Sequence, residues 1–225
     1  MKVFRLGLSL SSMQKYGAWK PSDESNLEAW YKFQTGITLN GSDVSAWADS
    51  SSNSFNMVQA TASEQPAYNS GAIQFTAADT HNLGTASDIT LSGAFTVGIK
   101  LNPDVSNVTV IGSNTTVNEF FKISTSSTLR FKTDGSQVDI TLDSGSFVGD
   151  NYLVVTRNAS NLITLYKNGV AQADTETLAG TADINAIGVR RTDLNPYDGT
   201  ISEIQIYDTE SAALTANVNT YLSNI

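Results

Sequence analysis

The chain has 225 residues, 40% of them hydrophobic, and a net charge of −9; it is long enough for one all-β domain around a single core, and acidic enough to repel nucleic acid. It has no cysteine and one histidine, which removes disulfides, thiolate nucleophiles and zinc sites built from sulfur or several imidazoles. No apolar run approaches the roughly 20 residues that a bilayer crossing needs, so a folded protein without a membrane span is expected.

The charge is unevenly placed. Lys2, Arg5, Lys15 and Lys20 precede the first acid, Asp23, so this leader carries +4 and the remainder −13. Residues 6–10 follow two cations as a secretory signal would, but a signal core needs about 7 to 15 apolar residues and Gly7 and Ser9 interrupt this one. Synthesis in the cytoplasm without an export signal is the expectation. Phe4, Leu6, Leu8, Leu10, Tyr16 and Trp19 make the leader more apolar than a solvated tail. Residues 1–24 therefore read as an arm that docks on a neighbouring subunit through Lys2, Phe4, Arg5, Leu8, Lys15, Tyr16, Trp19 and Lys20, with a frayed terminus as the plainer alternative.

From there the chain alternates β-branched and aromatic residues with polar ones, between turn residues. Strands are expected at residues 28–33, 72–75, 95–101, 108–112 and 120–125. A hairpin follows, 128–133 with 136–142, joined by Asp134-Gly135, a pair that supplies the positive φ angles of a two-residue type I′ turn. Leu129 and Phe131 share one face, answered by Val138, Ile140 and Leu142. Residues 152–157 form a strand, and Asn168-Gly169 joins a second hairpin, 162–167 with 170–173, whose Ile163, Leu165 and Val170 are read as facing inward. Strands at 186–189 and 199–207 bring the total to about a dozen, too many for one open twisted sheet, so two packed antiparallel sheets are predicted. At the end Leu214, Val218, Leu222 and Ile225 recur at helical spacing with Ser211 as N-cap, which predicts a short terminal helix. With no repeat and no linker, residues 25–225 read as one domain.

The order of these landmarks resembles the laminin-G/concanavalin A-like jelly-roll superfamily. Residues 27–33 (LEAWYKF) resemble its opening strand, and 44–56, with Trp47 and Asp49-Ser50-Ser51-Ser52-Asn53, the loop after it. Residues 71–75 and 95–103 are similar to the next two signature strands, 153–157 with 164–169 to the central pair, and 187–208 to the closing strand before the terminal helix. The resemblance implies a two-sheet antiparallel jelly-roll sandwich. Residues 7–11 and 19–23 also resemble the start of laminin-G-like structural proteins of tailed phages. This implies a virion protein, decorating the capsid or forming part of a tail or fibre, that contacts other virion proteins and copies of itself.

Chemistry is sparse. Glycoside hydrolases need two carboxylates flanking the scissile bond, and the family's Glu-x-Asp-x-x-Glu strand motif does not occur. Asp198, Glu203 and Asp208 lie five apart, which puts successive acids on opposite faces of a strand, so a turn-and-edge role is expected for them. His81 has no nucleophile elbow beside it and reads as a turn residue. No catalytic residue is assigned and a non-enzymatic protein is expected. Calcium, common in the superfamily, could be held by oxygens of loops 43–53 or 79–82, though such Asp-Asn-Ser clusters also make ordinary turns; no ligand is assigned. As an alternative to assembly, a lectin or adhesion module would bind a cell-surface glycan through aromatics in or beside loops, with Trp47, Tyr68 and Tyr197 the candidates; partial burial at the rim of the core is the competing role for each.

Overall fold

The computed structural model describes residues 18–191 and 193–225. In chain order the strands are β1 (Leu27–Tyr31), β2 (Ile37–Asn40), β3 (Asp43–Trp47), β4 (Met57–Val58), β5 (Ala67–Asn69), β6 (Ala72–Phe75), β7 (Leu83–Leu91), β8 (Phe95–Pro103), β9 (Val108–Gly112), β10 (Phe120–Thr125), β11 (Thr128–Thr133), β12 (Ser136–Thr141), β13 (Asn151–Arg157), β14 (Leu162–Lys167), β15 (Val170–Thr177), β16 (Ala182–Ile187) and β17 (Gly199–Tyr207). A single helix among the described residues, α1 (Ala212–Leu222), follows them. No helix there is long and apolar enough to cross a membrane.

All pairings are antiparallel and build two layers. In one, β1 and β6 lie end to end along β17, followed by β8, β13, β14 and β15. In the other the order is β12, β11, β10, β9, β16, β7, β4, β3, β2. The layers are also joined: β5 pairs with β6 on one side and touches β3 at Asp43 on the other, so the ladder turns one corner of the sandwich without a break. At the opposite edge side chains close the gap, as Asp174 accepts from the Thr141 amide and Asp143 from the Ala173 amide. This jelly-roll sandwich places the alternate side chains of both layers in one core, from Tyr31, Trp47 and Phe75 through Val97, Phe121 and Phe131 to Leu165 and Ile206, each at most 1% exposed.

Both predicted hairpins form. Asp134 and Gly135 have φ of +46° and +82°, Asn168 and Gly169 +50° and +79°, and Leu129 pairs with Ile140 and Phe131 with Val138. Val170 is a correction: it lies beside the turn and is 64% exposed. Sequence reasoning also took residues 44–56 as one loop, but their first part is β3. Its inward residues, Val44 and Trp47, are three apart, so the strand shows no clean alternation.

The outer faces of the two layers differ. Helix α1 begins at Ser211, whose Oγ accepts from the Leu214 amide at 3.1 Å. Its Leu214, Val218 and Leu222 lie over β8 and β13 in a second apolar cluster with Trp30, Val154 and Tyr207. Gly98 permits this contact: a Cβ there would sit 2.5 Å from Val218 Cγ1. The outer face of β9 to β12 has no helix over it among the described residues.

Candidate functional site

The β10–β11 hairpin sends Phe121, Ile123, Leu129 and Phe131 into the core, so strand alternation sends Phe120, Lys122, Arg130 and Lys132 outward. Register aligns them with their neighbours. Gly112, Phe120, Lys132 and Gln137 form one cross-strand row, and Thr109, Lys122, Arg130 and Asp139 the next. The segment between β16 and β17 folds back against the same strands: Asn195 accepts from the Thr109 amide through its carbonyl (2.8 Å) and from Arg190 Nη2 through its side chain (2.8 Å). Arg190 thereby lies over the Phe120 ring, 4.3 Å from its centre, with Lys132 at 6.0 Å.

The charges on this face are only partly paired. Arg130 and Asp139 form a bidentate ion pair across the strands, with Nε–Oδ1 and Nη2–Oδ2 both 2.6 Å. It holds the Asp139 carboxyl below its ordinary value and the Arg130 guanidinium above. Lys122, beside that pair, is only 7% exposed, and its ammonium has no hydrogen bond or ion pair among the described residues. Burial, then the charges of Arg190 and Arg130, push its pKa down, with Asp139 opposing. Three buried polar atoms also lack a partner here: Thr109 Oγ1, Arg190 Nε, and Oε2 of Glu119, the residue before Phe120. Glu119 is pushed up by burial and by Asp183. Natural folds leave few such atoms, and ordered water commonly meets those that remain.

Sequence reasoning missed this face. A signal was present: β10 and β11 carry Lys122, Arg130 and Lys132, three of only 13 basic residues in an acidic chain. Arg190, by contrast, joins them through folding alone.

The aromatic candidates fare differently. Trp47 is 1% exposed, sits against Tyr31, and its Nε1 donates to the carbonyls of Lys32 and Thr35. Tyr197 is fully buried, edge-on to Phe75, with its hydroxyl donating to Thr200 O. Neither has a face to offer a ligand: Trp47 points inward from β3, and Tyr197 is enclosed ahead of β17. Tyr68 is half-buried and packs against the core. The structure does not bring these three into one site. Of the proposed arm contacts, Lys2, Phe4, Arg5, Leu8, Lys15 and Tyr16 lie outside the described residues. Trp19 packs edge-on against Tyr221 of its own chain and donates to Glu24 Oε1 at 2.8 Å, while Lys20 lies 4.0 Å from Asp23.

Glu203 corrects the turn-and-edge reading. It is fully buried on β17, which has neighbours on both sides, and accepts from Trp30 Nε1, the Phe33 amide and Gln205 Nε2. Burial raises its pKa although these bonds and Lys32 pull it down. In the loops considered for calcium, Asp49 accepts from the amides of Trp30, Ser51 and Phe55 and from Ser51 Oγ, while His81 Nδ1 accepts from the Thr76 amide. Among the described residues, no three His, Cys, Asp or Glu side chains are grouped to hold a metal. A separate cleft of about 260 Å³ lies between Tyr166, Gly169 and the α1 residues Ala212, Thr215, Ala216 and Asn219.

The family model described as the concanavalin A-like lectin/glucanases superfamily matches residues 69–217. Among solved structures, the chain is similar to domain 4 of AbnA, a GH43 extracellular arabinanase from Geobacillus stearothermophilus, in complex with arabinotriose (17% identity, TM-score 0.62, 86% of this chain and 98% of that one). It is also similar to the binding domain of Paraclostridial Mosquitocidal Protein 1 (14%, 0.60, 91% and 53%) and to that of botulinum neurotoxin serotype D/C VPI 5993 (12%, 0.58, 91% and 53%). The chain thus spans about half the length of each toxin binding domain, and at these identities the likeness is one of fold. No curated protein matches the sequence.

Proposed function

Because the chain belongs to the concanavalin A-like lectin/glucanases superfamily, we propose that it is a non-catalytic, lectin-like module that binds carbohydrate on the outer face of β9 to β12. The observation that carries this reading is the pair of cationic groups on that face whose donors the fold leaves unused: the Lys122 ammonium, at the end of a covered stem, and Arg190 Nε. Sugar hydroxyls and ring oxygens are partners for such groups. The arabinotriose bound to domain 4 of the arabinanase supports a glycan ligand on a sandwich of this kind. A non-catalytic role is supported by Glu203, the buried acid of β17, which is enclosed beneath α1 and committed to three donors of its own chain.

Isothermal titration of the chain against arabinotriose, other neutral oligosaccharides and acidic oligosaccharides tests this reading. Saturable binding of at least one glycan, without release of reducing ends, is expected. Binding to none, or turnover of any, contradicts it.

A second reading, assembly into a tailed-phage particle through residues 1–24, draws on the leader's composition and on an apolar groove of about 530 Å³ where the described chain starts, lined by Ala18, Trp19, Tyr221 and Ile225. Under it, deleting residues 1–17 abolishes self-association without unfolding the sandwich; equal self-association of both forms in analytical ultracentrifugation contradicts it.

A further inference from the structure

We infer, building on the lectin-like reading, that the glycan is acidic: Lys122 and Arg190 hold a carboxylate or sulfate group carried by a sugar. Apart from Glu119 Oε2 and the Thr109 hydroxyl, the free groups at this site are donors. An ammonium offers three N–H bonds and no acceptor, and a guanidinium five and none. Lys122 spends none of its donors within the described chain, and Arg190 keeps a buried Nε without an acceptor after Nη2 is given to Asn195. A neutral sugar hydroxyl can accept from these groups, but it also brings a donor that needs a partner of its own. An anionic oxygen brings only acceptors, and its bonds to cations are about twice as strong as neutral ones.

The charge balance points the same way. Asp139 offsets the two arginines around Lys122 only in part. Asp139 is committed to Arg130 by two bonds of 2.6 Å. Glu119 has Asp183, Asp134 and Lys132 as its charged neighbours. The positive cluster stands in a chain of net charge −9, so it is not a by-product of overall composition. Stacking has little part in recognition here, since Phe120 is 2% exposed and its ring is taken by Arg190.

Two pairs of probes test the inference and separate the two anion sources: oligogalacturonate with its carboxyl-reduced neutral counterpart, and κ-carrageenan oligosaccharide with its desulfated counterpart. Calorimetry on the full chain should show one acidic member bound at least about tenfold more tightly than its neutral partner. That preference should fall about tenfold or more in Lys122→Met and in Arg190→Gln, and survive in Lys122→Arg. The charge-retaining variant guards against a trivial loss of folding, as does a thermal melt of each protein. Equal affinity for acidic and neutral members overturns the inference and leaves the lectin-like reading standing; binding of no glycan overturns both. Polyglutamate bound as tightly as the acidic sugar also overturns it, because the face would then serve an acidic protein partner.

Discussion

The two outer faces of the sandwich each enclose a charged side chain, and treat it in opposite ways. Under α1, Glu203 is fully buried and receives hydrogen bonds from Trp30, Phe33 and Gln205. Across the molecule, Lys122 has a covered stem, at 7% exposed, and no partner for its ammonium among the described residues, with Arg190 and Arg130 pushing its pKa down and Asp139 opposing them. A covered stem is shared, and a partner within the chain for the charge is not. A charge whose bonding capacity is used within the chain holds elements together; one whose head the chain leaves without a partner stays available to a ligand.

The contrast predicts opposite responses to substitution. The largest effect belongs to Glu203→Leu, which leaves the Trp30 indole N–H and the Phe33 amide without an acceptor beneath the helix. At about 1–3 kcal/mol for each orphaned donor, unfolding free energy should fall by about 3 kcal/mol or more in urea titrations. Gly98→Val comes next. Its side chain would occupy space taken by Val218, lifting α1 at a cost of about 1–3 kcal/mol and raising binding of a hydrophobic dye.

A smaller effect follows from the raised pKa of Glu203, which has Lys32, Tyr207 and Tyr221 as titratable neighbours. The folded state holds its proton to higher pH than the unfolded state does. Its contribution to stability is therefore full below the ordinary carboxyl range and is lost as pH rises through the raised value. Between about pH 4 and pH 8, wild type should lose stability relative to Glu203→Gln, which cannot titrate; parallel urea curves across that range would contradict this.

Lys122→Met should do least to the fold. No bond is lost and an unpaired charge is replaced by an apolar chain of similar length, so stability should change by less than about 1 kcal/mol or rise. A fall of more than about 2 kcal/mol in the same titration would mean that Lys122 is structural, and would erase the difference between the faces.

Much of the fold was legible in the sequence. The hairpins β11–β12 and β14–β15 were fixed by Asp134-Gly135 and Asn168-Gly169, and α1 by the stripe of Leu214, Val218 and Leu222. What escaped was short or irregular: β2, β4 and β5 span two to four residues, and β7 pairs with β16 through a bulge that breaks its alternation. The site was less legible, for a different reason. Trp47 and Tyr197 attracted attention as aromatics near loops, but only the folded chain shows Tyr31 and Phe75 packed against them. Conversely, Lys122 and Arg130 alternate with core residues along β10 and β11, as the outward side of any half-buried strand does. That one is paired and the other is not depends on Asp139 and on Arg190, which arrives from the segment after β16.

The most direct measurement is an amide NMR titration of the ¹⁵N-labelled chain with an acidic oligosaccharide that calorimetry shows to bind. The signals of Thr109, Phe120, Lys122, Arg130 and Arg190 should move together and saturate, with those of α1 and β17 unmoved. Shifts gathered instead around Tyr166 and Asn219, in the cleft beside α1, would contradict the assignment of binding to the β9 to β12 face.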